Sequence, residues 1–120
     1  MTSISFADGN CTYNKTTITE NHLNAAGITH GGFIAAFVDA GAGTAAHRSA
    51  SNSPCVTISL ELKFISAIKL GQELVGNTKI QKKTKTMVFL TCELTAENKI
   101  VATASGVWKI LKMTGAGPGG

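Results

Sequence analysis

The chain has 120 residues, of which 43% are apolar and 15% charged, with a formal net charge of +4; one compact core fits that length and a second domain does not. The lean charge content leaves apolar surface for another subunit to cover. Aromatic residues make up only 6%, too few stacking platforms to favour a nucleic-acid partner, and Cys11, Cys55 and Cys92 lie far apart without metal-binding or paired spacing, which argues against a metal site and structural disulfides.

The N-terminus has no basic start followed by an apolar stretch, and the longest apolar run, Gly31 to Ala46, is broken by Asp39 and rich in glycine. A soluble cytoplasmic protein, neither exported nor membrane-bound, is expected. Residues 3–7 alternate, Asp8-Gly9-Asn10 is a turn signal, and Cys11 to Ile18 is β-prone, so the chain opens with a short hairpin. Thr19 to Thr29 is polar and reads as a loop.

From Gly32 to Arg48 the chain is rich in Ala, Phe, Ile and Val and free of proline, long enough for about four turns of helix. Ile34, Phe37, Val38, Gly41 and Ala45 form one apolar face. Ala35, Asp39, Ala42, Gly43 and Ala46 form an adjacent face of small residues around a single carboxylate. Gly41 and Gly43 each cost about 1 kcal/mol inside a helix relative to alanine, so tight packing is expected there. A carboxylate on so apolar a helix is expected to be desolvated and to need a partner or a purpose.

Everything after Pro54 reads as strand. Val56, Ile58, Leu60, Leu62 and Phe64 alternate with polar residues, predicting one buried face. Weaker and stronger strands follow over 73–81 and 86–95. A turn at Glu97-Asn98 leads into a last strand to Leu111, in which Ala102, Ala104 and Gly106 share a face that would let a helix lie close. The prediction is an α+β fold: one antiparallel sheet wrapped around one long central helix, a single domain over 1–112 with a flexible Gly-rich tail over 113–120. His22, His47 and Arg48 read as surface residues, and Cys55 as inert packing.

The segment from Asn24 through His30-Gly31-Gly32 to Asp39 resembles the signature of the PaaI-type hotdog thioesterases, with an asparagine ahead of His-Gly-Gly and an acid on the helix behind it. Val56 to Leu74 is similar to that family's long strand and following turn, and the resemblance covers roughly residues 11–112. It implies a hotdog fold and an acyl-CoA thioesterase that self-associates as a homodimer or dimer of dimers, the acid of one subunit facing the His-Gly-Gly loop of the other.

Carried over by position, Gly31 supplies an oxyanion-hole N–H, and Asn24 orients the carbonyl or the attacking water. Asp39 acts as general base or as nucleophile, His30 braces the loop or moves a proton, and Thr57 helps to hold the water. The first two residues of the helix make sense on physical grounds too, since N–H groups at a helix N-terminus are unpaired and carry the positive end of its dipole. Strict alternation sets Thr57 on the face opposite Val56 and Ile58, so it reaches the site only if the strand is distorted at its start or that face meets a partner.

Lys79, Lys82, Lys83 and Lys85 gather around one predicted turn, either a solvated hairpin tip or, through Lys82, Lys83 and Lys85, a contact for the phosphates of coenzyme A. No cofactor is expected beyond the coenzyme A carried by the substrate. Alternatives are a non-catalytic module that binds acyl-CoA or lipid, and a thioesterase acting on acyl-carrier protein. Two features depart from the family: Ser66-Ala67-Ile68 stands where relatives frequently have a proline, and the chain starts late, without the leading helix that many members have.

Overall fold

A computed structural model describes residues 3–8 and 11–111, with side chains from Asn14 onward. The expected Gly9-Asn10 turn and the glycine-rich tail lie outside the described residues. In chain order the elements are β1 (Ser3–Asp8), β2 (Cys11–Thr17), a 3-10 turn (Glu20–His22), α1 (Gly31–Ser49), β3 (Cys55–Phe64), β4 (Glu73–Lys83), β5 (Met87–Ala96) and β6 (Lys99–Ile110). The six strands form one sheet in the order β1-β2-β4-β5-β6-β3, every neighbour antiparallel. The β5–β6 hairpin turns through Glu97 and Asn98, both with positive φ (52° and 63°), as a two-residue turn matching the sheet twist requires.

The helix packs against β2 through β6, and its buried residues are Ile34, Phe37, Val38, Gly41, Ala42, Ala45 and Ala46. Its first half meets Ile18, Ile68, Leu74, Leu94 and Val101. Its second half meets Val88, Leu90 and Trp108. Alanines and glycines on both surfaces let the backbones approach, as the small residues of the helix and the last strand lead one to expect.

Close approach is sharpest around Asn14, a buried asparagine on β2 whose Nδ2 donates to the Phe37 carbonyl at 3.2 Å. A Cβ on Gly41 or on Gly76 would collide with its side-chain amide. Held from two sides, the amide has nowhere to retreat. Gly41→Ala is therefore expected to destabilise the protein by about 1–3 kcal/mol, overpacking outweighing the better helix propensity of alanine. Urea denaturation of Gly41→Ala, Asn14→Ala and the double variant checks it: the double variant should be more stable than the sum of the single losses, because the colliding partner is gone.

The third strand departs from the simple alternation. Thr57 pairs with Trp108 and Ser59 with Val107, so Ile58 is an extra residue in a bulge. Cross-strand partners share a face, so Cys55 and Thr57 before the bulge, and Leu60 and Leu62 after it, all turn toward the helix with Ile110, Trp108, Gly106 and Ala104. Val56 and Ile58 instead stand in solvent, 42% and 54% exposed. The expected single buried face from Val56 to Phe64 is thus replaced by a face that changes parity at Ile58, since one inserted residue exchanges the two sides of a strand.

Candidate active site

The helix begins at Gly31 with His30 as its N-cap, whose φ of −58° and ψ of 133° turn the chain out of the loop; no side chain caps it. The His30 carbonyl accepts from Phe33 and Ile34 N–H. The Gly31 and Gly32 amides, one turn too early for any intrahelical acceptor, stay available to a ligand. A hypothetical Cβ on Gly31 would lie 3.5 Å from Phe64 Cζ, which places the last residue of β3 beside the helix mouth. A cavity of about 320 Å³ opens here, lined by Ile28, Thr29, Gly31, Ile34 and Phe64–Ile68.

Asp39 stands on the same helix, and Thr57 Oγ1 donates a hydrogen bond to its Oδ1 at 2.9 Å. The bulge makes this contact possible: before it, Thr57 faces the helix, contrary to strict alternation. The expectation that Asp39 is desolvated is corrected in the single chain, where it is exposed. Asp39 lies on the flank of the helix that overhangs β3, an edge strand of the sheet, so among the described residues it stays open to solvent on that side. A second cavity of about 440 Å³ adjoins it, lined by Asp39, Gly43, His47, Cys55, Thr57 and Trp108 among others.

Asn24 is exposed in the loop before the helix. Its Oδ1 accepts from Ala26 N–H at 2.9 Å and Ile28 N–H at 3.2 Å, so the side chain shapes the turn that delivers Thr29 and His30 to the helix, leaving its NH₂ group unspent among the described residues. His30 is exposed too. His22 is not a plain surface residue: it stacks on Phe33 with ring centroids 3.9 Å apart, and its Nδ1 accepts from Thr19 N–H at 3.0 Å. Its backbone carbonyl also accepts from His30 N–H at 2.8 Å, which fastens the loop to the helix start.

Within one chain Gly31 and Asp39 are eight residues apart on a continuous helix, about 12 Å along its axis. Gly31 neighbours Phe64 and Asp39 neighbours Thr57, at opposite ends of β3. Within one chain, therefore, the amide-lined helix mouth and the carboxylate do not meet each other.

The lysines are all exposed, but they do not form one cluster. Lys82 pairs with Phe89 and Lys83 with Val88, so by strand parity Lys83 lies on the helix side of the sheet and Lys82 on the outer side. Lys85 lies in the β4–β5 turn. Lys83 shares a cross-strand row with Val88, Trp108 and Thr57, about 14 Å from Thr57 at the usual strand spacing.

Two residues to which the sequence reading gave no role line the carboxylate cavity. His47, read as a surface residue, is half-buried, and its Nδ1 donates to the Ser53 carbonyl at 2.8 Å. Trp108 is 1% exposed. The spacing Asp39, Gly43, His47 was the available signal, since residues four apart stack on one helix stripe. Cys55 lines the same cavity, but burial pushes its thiol pKa up, and its Sγ donates to the Ser53 carbonyl at 3.5 Å; it has no thiolate character to lend. Among the described residues no three of His, Cys, Asp and Glu converge as metal ligands, and no helix is long and apolar enough to cross a membrane.

Comparison with known proteins bears on this geometry. Residues 26–103 match the family model of the Thioesterase superfamily. The "Putative esterase" of Pseudomonas aeruginosa is 34% identical over 94 residues, spanning 78% of this chain and 70% of that protein. Human acyl-coenzyme A thioesterase 13 is 32% identical over 87 residues, 71% of this chain but only 62% of the human protein. The PaaI protein of Escherichia coli superposes with a TM-score of 0.87 at 19% identity, covering 94% of this chain and 81% of that one. A hypothetical thioesterase of Streptococcus pneumoniae, solved with coenzyme A, gives 0.85 at 18% identity, covering 92% and 88%; at such identities the two structures establish the fold alone. By its sequence match and its architecture, the chain belongs to the thioesterase superfamily and has the hotdog fold of the PaaI-type members.

Proposed function

We propose that this protein hydrolyses acyl-CoA thioesters to the free acid and coenzyme A, as a homodimer whose two sites are each shared between subunits. The observation that carries the reading is the separation of the half-sites at the two ends of an unpaired edge strand. β3 ends the sheet, and Ile58 and Phe64 are more than half exposed along it, a surface that demands a partner. If two β3 strands pair antiparallel about a two-fold axis near Leu60 and Glu61, Thr57 of each comes opposite Phe64 of the other. Asp39 then faces the Gly31 amide of the partner, and both sites form at once because the interface is isologous.

In that arrangement the Gly31 N–H, at the positive end of the helix dipole, receives the carbonyl oxygen and stabilises the tetrahedral oxyanion. Asp39 takes a proton from the attacking water as general base, and collapse of the intermediate expels the coenzyme A thiolate. Thr57, already donating to Oδ1, keeps its lone pairs for the same water. That favours the base route over direct attack by a carboxylate whose charge is partly committed. Asn24 offers its unspent NH₂ to the carbonyl or the water, and His30 shapes the mouth. Water is the only co-reactant required. Lys83, on the helix side of the sheet, and Lys85, in the adjoining turn, are proposed to meet the cofactor's phosphates; Lys82 faces the other side of the sheet and takes no part. The human relative's name and the neighbour solved with coenzyme A support an acyl-CoA donor over an acyl-carrier protein. A cytoplasmic location fits that donor.

Complementation tests the shared site. Asp39→Ala and Gly31→Pro proteins, each nearly inactive, are unfolded together and refolded at equal ratio. Random pairing makes half the dimers mixed, each with one intact and one doubly defective site, so about a quarter of wild-type thiol release should return. No recovery, with mixed dimers verified by mass, would mean that each chain carries its own complete site.

The threonine makes its own prediction. Thr57→Val should lower kcat/KM about tenfold and Thr57→Ser much less, because only the hydroxyl matters to the carboxylate and the water. Steady-state thiol release from one acyl-CoA checks it, and equal loss in both variants would point to packing instead.

A further inference from the structure

We propose that His22 is a positioning residue for the oxyanion donor, holding the Gly31 amide in place through one flat ring and one acceptor nitrogen. The proposal rests on the thioesterase reading and adds a residue, set apart from the linings of both cavities, on which the rate of that reaction depends.

The Gly31 N–H is only as well placed as the chain that leads into it. Of residues 19–30 only Thr29 is buried, and His22 and Leu23 are half-buried. Burial alone therefore holds this loop weakly. Its downstream limb is anchored at Thr29, whose N–H and Oγ1 both donate to the Ile68 carbonyl, at 3.0 and 2.7 Å. Its upstream limb is anchored through His22.

His22 makes three connections. Nδ1 accepts from Thr19 N–H at 3.0 Å, beside the buried Ile18 at the end of β2. The ring lies on Phe33, centroids 3.9 Å apart and planes 23° from parallel, and Phe33 stands in the first turn of the helix and packs against the core. The carbonyl accepts from His30 N–H at 2.8 Å. The peptide unit that carries the Gly31 N–H thus lies between two of these connections, His30 on one side and Phe33 on the other. His22 ties the end of β2 to both.

The two side-chain connections together select imidazole. A phenyl ring stacks on Phe33 but accepts nothing, and a carboxamide accepts from Thr19 but covers no ring. A backbone N–H only donates, so Nδ1 carries the lone pair and the ring proton sits on Nε2. Packing alone asks for no such acceptor, and His22 belongs to neither core cluster. An oxyanion donor acts on charge that develops in the transition state, and a misplacement of about 1 Å can cost about 10²-fold. Loss of the His22 side chain should therefore be felt in kcat.

The test measures steady-state thiol release from one acyl-CoA by His22→Ala, His22→Phe and His22→Asn, and by His22→Ala combined with Gly31→Pro. His22→Ala should lower kcat about tenfold while KM changes less than about twofold, the pattern of an interaction made only in the transition state. His22→Phe keeps the stack and His22→Asn offers Oδ1 in place of Nδ1, so each should recover about threefold of that loss. Coupling to the amide decides between positioning and general support of the fold. Once proline has removed the Gly31 N–H, adding His22→Ala should cost less than about twofold more. A larger further cost, or a loss confined to KM in His22→Ala alone, overturns the proposal. Amide exchange followed by nuclear magnetic resonance gives a readout apart from turnover: the His30 N–H should exchange about tenfold faster in His22→Ala, with global stability in urea little changed. Unchanged exchange at His30 also overturns the proposal. If the wild type releases no thiol the thioesterase reading fails, and exchange at His30 alone then decides whether the His22 side chain holds the helix mouth.

Discussion

Asp39→Asn should lower kcat/KM for acyl-CoA hydrolysis by about 10³-fold, within the range of 10²–10⁴ that a positioned general base contributes. The substitution keeps the size of the side chain and its capacity to accept from Thr57 Oγ1, now 2.9 Å from Oδ1; it removes only the ability to take a proton from water. Because Asp39 is exposed in the single chain and makes no core contact, neither folding nor the oligomer should change. Thiol release gives the rate, sedimentation the assembly, and calorimetry the affinity for the intact thioester, which should stay within a few-fold. Wild-type turnover in Asp39→Asn would leave the proposed chemistry without its base.

Replacing Gly31 by proline should be nearly as damaging, by a different route. Proline at the first position of a helix is tolerated, since the N–H it lacks is an orphan there. His30 already has a backbone suited to preceding proline, with ψ of 133°. The helix should therefore persist while the oxyanion donor disappears, at a cost of about 10²–10³-fold in kcat. Gly31→Ala is the control: it keeps the N–H, and its methyl meets Phe64 at an ordinary contact distance of 3.5 Å, so its loss should be under about tenfold. Unchanged circular dichroism with lost turnover in the proline variant, against retained turnover in the alanine variant, assigns the effect to the amide. Equal activity in the two would remove Gly31 from the mechanism.

Much of this fold was legible in the chain because its signals are local. The uninterrupted run of Ala, Ile, Val and Phe behind two glycines gave a helix whose ends fall within one residue of Gly31–Ser49. Alternation and the Glu97-Asn98 turn gave the last strands. The glycine pair at the helix start and the lone acid two turns later were legible for the same reason, since both are short-range patterns. The β3 edge was read wrongly at its beginning because a bulge leaves no mark in an apolar-polar pattern, and one inserted residue at Ile58 sends Thr57 to Asp39 and Val56 to solvent.

By itself, the sequence determined the element order, the sheet-on-helix architecture, the amide-lined helix start and the position of the carboxylate, all of which depend on residues near one another in the chain. Tertiary structure alone decided that Thr57 bonds to Asp39, that Asn14 wedges between Gly41 and Gly76, and that Trp108 shares a cavity with the carboxylate. Each of these joins segments separated by 18 to 69 positions along the chain. Strand order and register bring them together, and those are set by which faces can bury their apolar surface at once, a property of the whole sheet and helix rather than of any window of residues.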